Sequence, residues 1–276
     1  MKEKKEYNFK YVIIVIFTIL ILTILVILLY SKMITNMKFD NFKIQNFAEE
    51  NSTPIFKISK IILYSNVDIV DESENNSLQD INISQYTDIA VYIDNKLSSN
   101  ELTNENTIKE MYIDNINIST LSSNGEKILN YKNSYLFGKY RSLDVVTSRI
   151  YFDILNENKQ NTEEIYDIPT FYTDCSNPIT LGYINKNVVT NYRIRINDKS
   201  ITFDGALLKK ANIALDILNN KINFGIHIKN NLDEQFVCNV SIDNNLESED
   251  GGLYTGSVMK IFEFSENEHK FIKLTT

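Results

Sequence analysis

From Ile55 onward apolar residues recur at every second position, and few folds accept that pattern. Ile150, Phe152 and Ile154 share one side of an extended chain, with Arg149, Tyr151 and Asp153 on the other. Tyr192, Ile194 and Ile196 alternate with Arg193 and Arg195; Ile222, Phe224, Ile226 and Ile228 alternate with Asn223, Gly225, His227 and Lys229. Phe236, Cys238, Val240 and Ile242 continue the pattern, followed by Val258, Phe262 and Phe264 around Lys260. A period of two buries one face of a strand and wets the other, as antiparallel sheets do. Segments 222–228 and 236–242, joined by the polar Asn230-Asn231-Leu232-Asp233-Glu234, read as a hairpin. Between Met111–Ile113 and Ile116–Ile118 the apolar phase slips by one residue, the mark of a bulge. The fold class expected for residues 53–276 is therefore mainly β, an antiparallel β-sandwich or jelly-roll-like domain.

Two places leave the organisation open. Leu207, Leu208, Ala211, Leu215 and Leu218 suit a short helix within 206–218, whereas Ile213, Leu215 and Ile217 suit a strand. The helix, or an irregular crossover, is the better fit. The polar stretch near 156–166 could divide the region into two smaller sandwiches. The halves show no internal repeat, and a single sandwich is the expectation.

Ahead of this region, Tyr11 to Tyr30 carries no charge, and Thr18 and Thr23 are its only polar breaks between the two end tyrosines. A helix of that length, rising about 1.5 Å per residue, spans roughly the 30 Å of a hydrocarbon core. The run has no polar stripe, so it reads as a transmembrane helix rather than a core helix. It ends Leu28-Leu29-Tyr30-Ser31-Lys32-Met33, without the small-x-small site of a cleaved signal peptide. Lys2, Lys4, Lys5 and Lys10 precede it, which predicts a cytoplasmic stub at 1–10 and a single-pass protein of the cell membrane. The polar segment 31–52 then reads as a stalk beneath an extracytoplasmic domain. The chain carries 28 basic and 36 acidic residues, a net charge of −8. Residues 1–30 hold four Lys and two Glu, a net of +2, which leaves −10 on the remainder. That balance argues against nucleic acid as a partner, because phosphate binding needs a concentrated basic face.

Three stretches carry a resemblance: Gln85-Tyr86-Thr87-Asp88-Ile89-Ala90, then 171–181 from Phe171-Tyr172-Thr173-Asp174-Cys175 through Pro178-Ile179-Thr180-Leu181, and Phe203-Asp204-Gly205-Ala206-Leu207-Leu208. With the apolar run and the closing hairpin, they resemble membrane-anchored ectodomain proteins of AT-rich Gram-positive bacteria. The resemblance implies location and architecture, and it carries over no activity, ligand or catalytic residue.

The chemistry candidates are few. Cys175 and Cys238, bridged, would close a long loop, for which chain entropy gives roughly 4 kcal/mol. The alternative is one loop thiol and one buried thiol that never meet. As a nucleophile Cys175 would need a base or cation beside it. Both His227 and His269 lie downstream, and alternation turns His227, Arg193 and Arg195 toward solvent. Two isolated His without His-Glu-x-x-His or Cys-x-x-Cys make no zinc site, and no cofactor is expected. The acidic turns at Asp68–Glu74 and Asp243–Asp250 lack the spacing of an EF-hand loop.

The candidate binding patch is Tyr131, Tyr135, Phe137 and Tyr140, interleaved with Lys132, Lys139 and Arg141. Aromatic faces with polar tips suit a glycan or an envelope protein. Tyr135 and Phe137 could equally plug an edge of the sandwich. The expected function is a non-catalytic binding or structural surface protein, its membrane partner being the bilayer through residues 11–30. An anchored wall or peptide hydrolase or transpeptidase is one alternative, and a jelly-roll subunit of an extracellular fibre is another.

Overall fold

The computed structural model describes residues 54–71, 78–95, 101–122, 124–143, 147–156, 168–195, 200–248, 250–265 and 268–274, together with Val15 and Thr23. The stub at 1–10, the stalk at 31–52, and the apolar run 11–30 apart from Val15 and Thr23 lie outside the described residues. Among the described residues no helix is long and apolar enough to cross a membrane.

Residues Thr53–Thr276 form one compact, mainly β unit. Its strands are β1 (Lys57–Asp71), β2 (Leu78–Asp94), β3 (Ile108–Thr120), β4 (Glu126–Tyr131), β5 (Ile150–Leu155), β6 (Thr170–Tyr172), β7 (Ile179–Arg195), β8 (Asn220–Asn230), β9 (Gln235–Asn244), β10 (Val258–Glu263) and β11 (Ile272–Lys273). They make a five-stranded sheet, β10-β1-β2-β7-β4, and a six-stranded sheet, β11-β9-β8-β3-β5-β6. Every pairing is antiparallel except β5 with β6. The expected hairpin is β8–β9, with Ile226 opposite Cys238 and Ile228 opposite Phe236. The expected bulge is also present: the β3–β8 register shifts between Asp114 and Asn117. Each sheet draws strands from both sides of 156–166, so the chain does not divide there. Only Asn156 of that stretch is described.

The alternation decides what lies between the sheets. Ile61, Leu63, Ile89, Val91, Leu129, Leu181 and Tyr183 of the five-stranded sheet share one core with Met111, Ile113, Phe152, Phe171, Phe224, Ile226 and Val240 of the other. Most of these side chains are almost fully buried, and each such burial is worth roughly 1.5–3 kcal/mol against an exposed state. β1, β2 and β7 run 15 to 17 residues, longer than this core, and continue into a second one. There Val67, Ile81, Ile83, Val188 and Ile194 pack on Leu207, Leu208, Leu215, Leu218, Leu246 and Leu253.

A buried polar belt lies along the inward row between the two cores. The Ser65 and Thr87 hydroxyls pair at 2.7 Å, Gln85 Nε2 donates to Thr87 Oγ1 at 2.9 Å, and Asn244 Nδ2 reaches both hydroxyls. Buried polar groups hold a fold in one register because misplacing them leaves donors unpaired. The ambiguous 206–218 segment is a short α-helix, Ala206–Lys210, then an irregular stretch and a 3-10 turn, Asp216–Leu218. Its leucines close the second core, which explains why helical and strand spacings both half-fitted it.

A candidate binding face on the six-stranded sheet

On the outer face of the six-stranded sheet, register brings five chemically distinctive side chains together. Met111 and Ile113 point into the core, so the intervening Tyr112 points out. Tyr112 lies opposite His227 on β8 and opposite Tyr151 on β5. The Tyr112 and His227 rings stack with centroids 4.4 Å apart and planes 6° from parallel, and Tyr151 lies 5.6 Å from Tyr112 on the other side. A three-strand aromatic row results, and its outer member, Tyr151, is 63% exposed.

Beside this row sits an ionic cluster built on Asp114. His227 Nε2 lies 2.9 Å from Asp114 Oδ1, and an Arg149 guanidinium nitrogen lies 3.1 Å from Oδ2. Arg149 also donates to the Tyr151 hydroxyl at 3.0 Å and lies over both tyrosine rings, 5.2 Å from Tyr112 and 5.8 Å from Tyr151. Asp114 occupies the last regular position before the bulge, where Asn115 takes a positive φ of 53°. Gly225 is its cross-strand partner, and a Cβ there would lie 3.3 Å from Asp114 Oδ1 and 3.4 Å from His227 Nε2. A side chain at 225 would therefore crowd the Asp–His pair. Burial, followed by the nearby Asp114 charge, raises the Tyr112 phenol above its ordinary pKa. Bonding to Tyr151, then to Asp114, holds the Arg149 guanidinium more firmly protonated. A recess of about 80 Å³ opens next to the row, lined by Glu110, Tyr112, His227, Lys229 and Gln235 among others.

This face offers ring surfaces, a fixed planar cation and an acceptor. The Nε2 of His227 is engaged by Asp114 Oδ1. Among the described residues no group of three His, Cys, Asp or Glu side chains could hold a metal ion.

The four residues singled out in 131–140 do not form one patch. Tyr131 turns inward and meets Phe152 edge-on at 6.0 Å. Phe137 and Tyr140 lie against Tyr64 and Tyr86 on the outer face of the five-stranded sheet. Only Tyr135 is exposed, at 51%, with the Lys139 ammonium 5.4 Å from its ring. The segment is a cover over that sheet, and Phe137 packs on the sheet's outer face rather than at an edge.

The cysteines are two separate thiols, not a disulfide. Both pack on the larger core, Cys238 buried in it and Cys175 at its margin. Burial pushes the Cys238 thiol up to about 12, so it holds almost no thiolate at neutral pH. Alkylation of the native protein should label Cys175 and spare Cys238, and denaturation should expose both, with no mass change on reduction. Intact-mass spectrometry checks this, and equal labelling of the two in the native state contradicts the burial of Cys238.

Comparison with protein-family models, with curated proteins and with solved structures finds no match to this chain. The functional reading therefore rests on the chain's own residues.

Proposed function

We propose that this chain is a membrane-anchored, extracytoplasmic β-sandwich that binds a glycan of the cell envelope on the outer face of its six-stranded sheet. The observation that carries the reading is the His227–Tyr112–Tyr151 row with Arg149 and Asp114 fixed alongside. A sugar presents C–H groups on one ring face and hydroxyl pairs at its edge. The exposed Tyr151 ring accepts the first, and planar guanidinium and carboxylate groups suit the second. The Arg149–Asp114 ion pair and the His227–Asp114 hydrogen bond hold these groups in place before a ligand arrives, which lowers the entropy cost of binding. The anchor is supported by the uncharged run 11–30 and the lysines before it.

Co-sedimentation of the full chain in detergent with purified wall polysaccharide tests the reading. Tyr151→Ala combined with Arg149→Ala should weaken retention about tenfold or more, as losing a central aromatic and arginine pair does at other interfaces. Tyr135→Ala, in the cover over the five-stranded sheet, should leave retention unchanged. Retention that ignores the Tyr151 and Arg149 changes removes this face from the function. Alkaline extraction of membranes should leave the chain in the pellet, and its release would remove the anchor.

A further inference from the structure

We propose that Lys132 and Asp88 condense into an intramolecular amide that fastens the 132–143 cover to the five-stranded sheet. The two side chains are 4% and 2% exposed, and Lys132 Nζ lies 2.5 Å from Asp88 Oδ1. Adding a carboxyl C–O bond of about 1.2 Å puts Nζ within roughly 3.7 Å of Cγ, close to the 3–3.5 Å of a near-attack arrangement.

The approach is built into the sheet. Asp88 on β2 and Asn130 on β4 both lie opposite Gly182 of the intervening β7. The Lys132 stem crosses Gly182 so closely that a Cβ there would sit 3.2 Å from Lys132 Cδ. Absence of a side chain at 182 therefore opens the path by which an amine starting beyond β4 reaches a carboxyl two strands away. Tyr86, Ile128, Leu143 and Ile184 surround this region with apolar surface.

The groups around the pair match the steps of a condensation. One Nζ proton passes to the Asp88 carboxylate, leaving a neutral amine and a carboxylic acid. Burial favours that exchange, since it raises the Asp88 carboxyl and lowers the Lys132 ammonium, against the hydrogen bond and attraction between them. The Nζ lone pair then forms the N–Cγ bond, and the C=O electron pair moves to Oδ2. Gly138 N–H already donates to Oδ2 at 2.6 Å, in the position of an oxyanion donor. Oδ1 departs as water, carrying two of the three ammonium hydrogens, while the third stays on the amide nitrogen. Lys139 C=O accepts a hydrogen bond from Nζ and remains a partner for that last N–H. The step needs no oxidant, nucleotide or metal. Condensation is unfavourable between dilute partners in water, but fixed neighbours react with effective molarities of about 10⁵–10⁸ M.

Mass spectrometry of the denatured full chain decides the matter. The expected mass is about 18 Da below that of the sequence, one water lost. Trypsin should fail to cut after Lys132 and should release a branched peptide joining 61–96 to 128–139. Lys132→Arg keeps a cation but cannot form this amide, so its mass should match its sequence. A wild-type chain at full sequence mass and cut after Lys132 overturns the proposal. So does a water loss that fragmentation places elsewhere, for instance in a succinimide at Asp250-Gly251.

Discussion

Replacing Asp88 with alanine should destabilise the domain by about 3–5 kcal/mol relative to the uncondensed chain, in which Lys132 and Asp88 form a buried ion pair and one member would be left without its partner. At roughly 2–4 °C per kcal/mol for a domain of this size, the melting temperature should fall by about 6–20 °C. Two contacts are lost together. The Lys132 ammonium, 4% exposed, keeps the Lys139 carbonyl and the face of the Tyr86 ring, and the Gly138 N–H loses its acceptor. The cover still meets the sheet through the Tyr86 hydroxyl bonded to Gly138 C=O and through the rings of Tyr140 on Tyr86 of β2 and Phe137 on Tyr64 of β1.

The compensating variant separates an unpaired charge from mere loss of packing. Asp88→Ala with Lys132→Met removes both charges and keeps an unbranched apolar stem over Gly182, so it should recover most of the stability of the uncondensed chain. Thermal unfolding followed by circular dichroism is the measurement. Asp88→Ala melting within 2 °C of wild type would show that the pair does not hold the cover. A double variant no better than the single one would show that packing, not charge, dominates.

The alternating pattern made most of the strands legible because a half-buried strand writes its geometry directly into residue type. β5, β8, β9 and β10 were visible in this way, and so was the β3 bulge, since one inserted residue flips every later side chain. The inward row Ser65, Gln85, Thr87 and Asn185 broke the pattern, because polar residues there are buried in a belt between two cores. No local signal distinguishes such an Asn from one in solvent. Only the structure places Asn244 of β9 against Ser65 of β1.

The candidate site was half legible. Alternation placed Tyr151, Arg149 and His227 on outer faces, and the structure agrees. It could not show that β3 lies between β5 and β8, which is what turns three scattered outward residues into one row with Tyr112. Cross-strand pairing joins residues more than a hundred positions apart, and a single sequence carries no record of it. The 131–141 stretch misled for a related reason. Clustered aromatics announce burial or binding equally, and here the outer face of β1 and β2 supplies Tyr64 and Tyr86 to bury two of them. Lys132 was read there as a surface cation. Asp88, its partner, lies 44 positions earlier in the chain.

The second large effect concerns the closure of the smaller core, where Gly205→Ala should cost about 3 kcal/mol and lower the melting temperature by roughly 6–12 °C. Gly205 has an ordinary helical φ of −54°, so conformational freedom is not why it is glycine. The reason is contact. A Cβ at 205 would fall 1.6 Å from the Leu253 carbonyl oxygen and 2.7 Å from its carbon. Backbone cannot rotate away as a flexible side chain does, so the helix Ala206–Lys210 and the turn Gly252–Thr255 must separate. Leu207, Leu208 and Leu253 all reach the same core from these two elements, and each is fully buried. Separation therefore opens apolar surface on both sides of the contact. The Tyr254 hydroxyl, which bonds the Ile213 carbonyl, would be drawn apart with them. The larger core receives no side chain from either element, so the damage should stay local. Amide exchange should accelerate across 206–218 and 246–256 while β8 and β9 keep their protection. A Gly205→Ala protein that melts with wild type and exchanges identically at 206–218 would mean the helix does not rest on the Leu253 carbonyl.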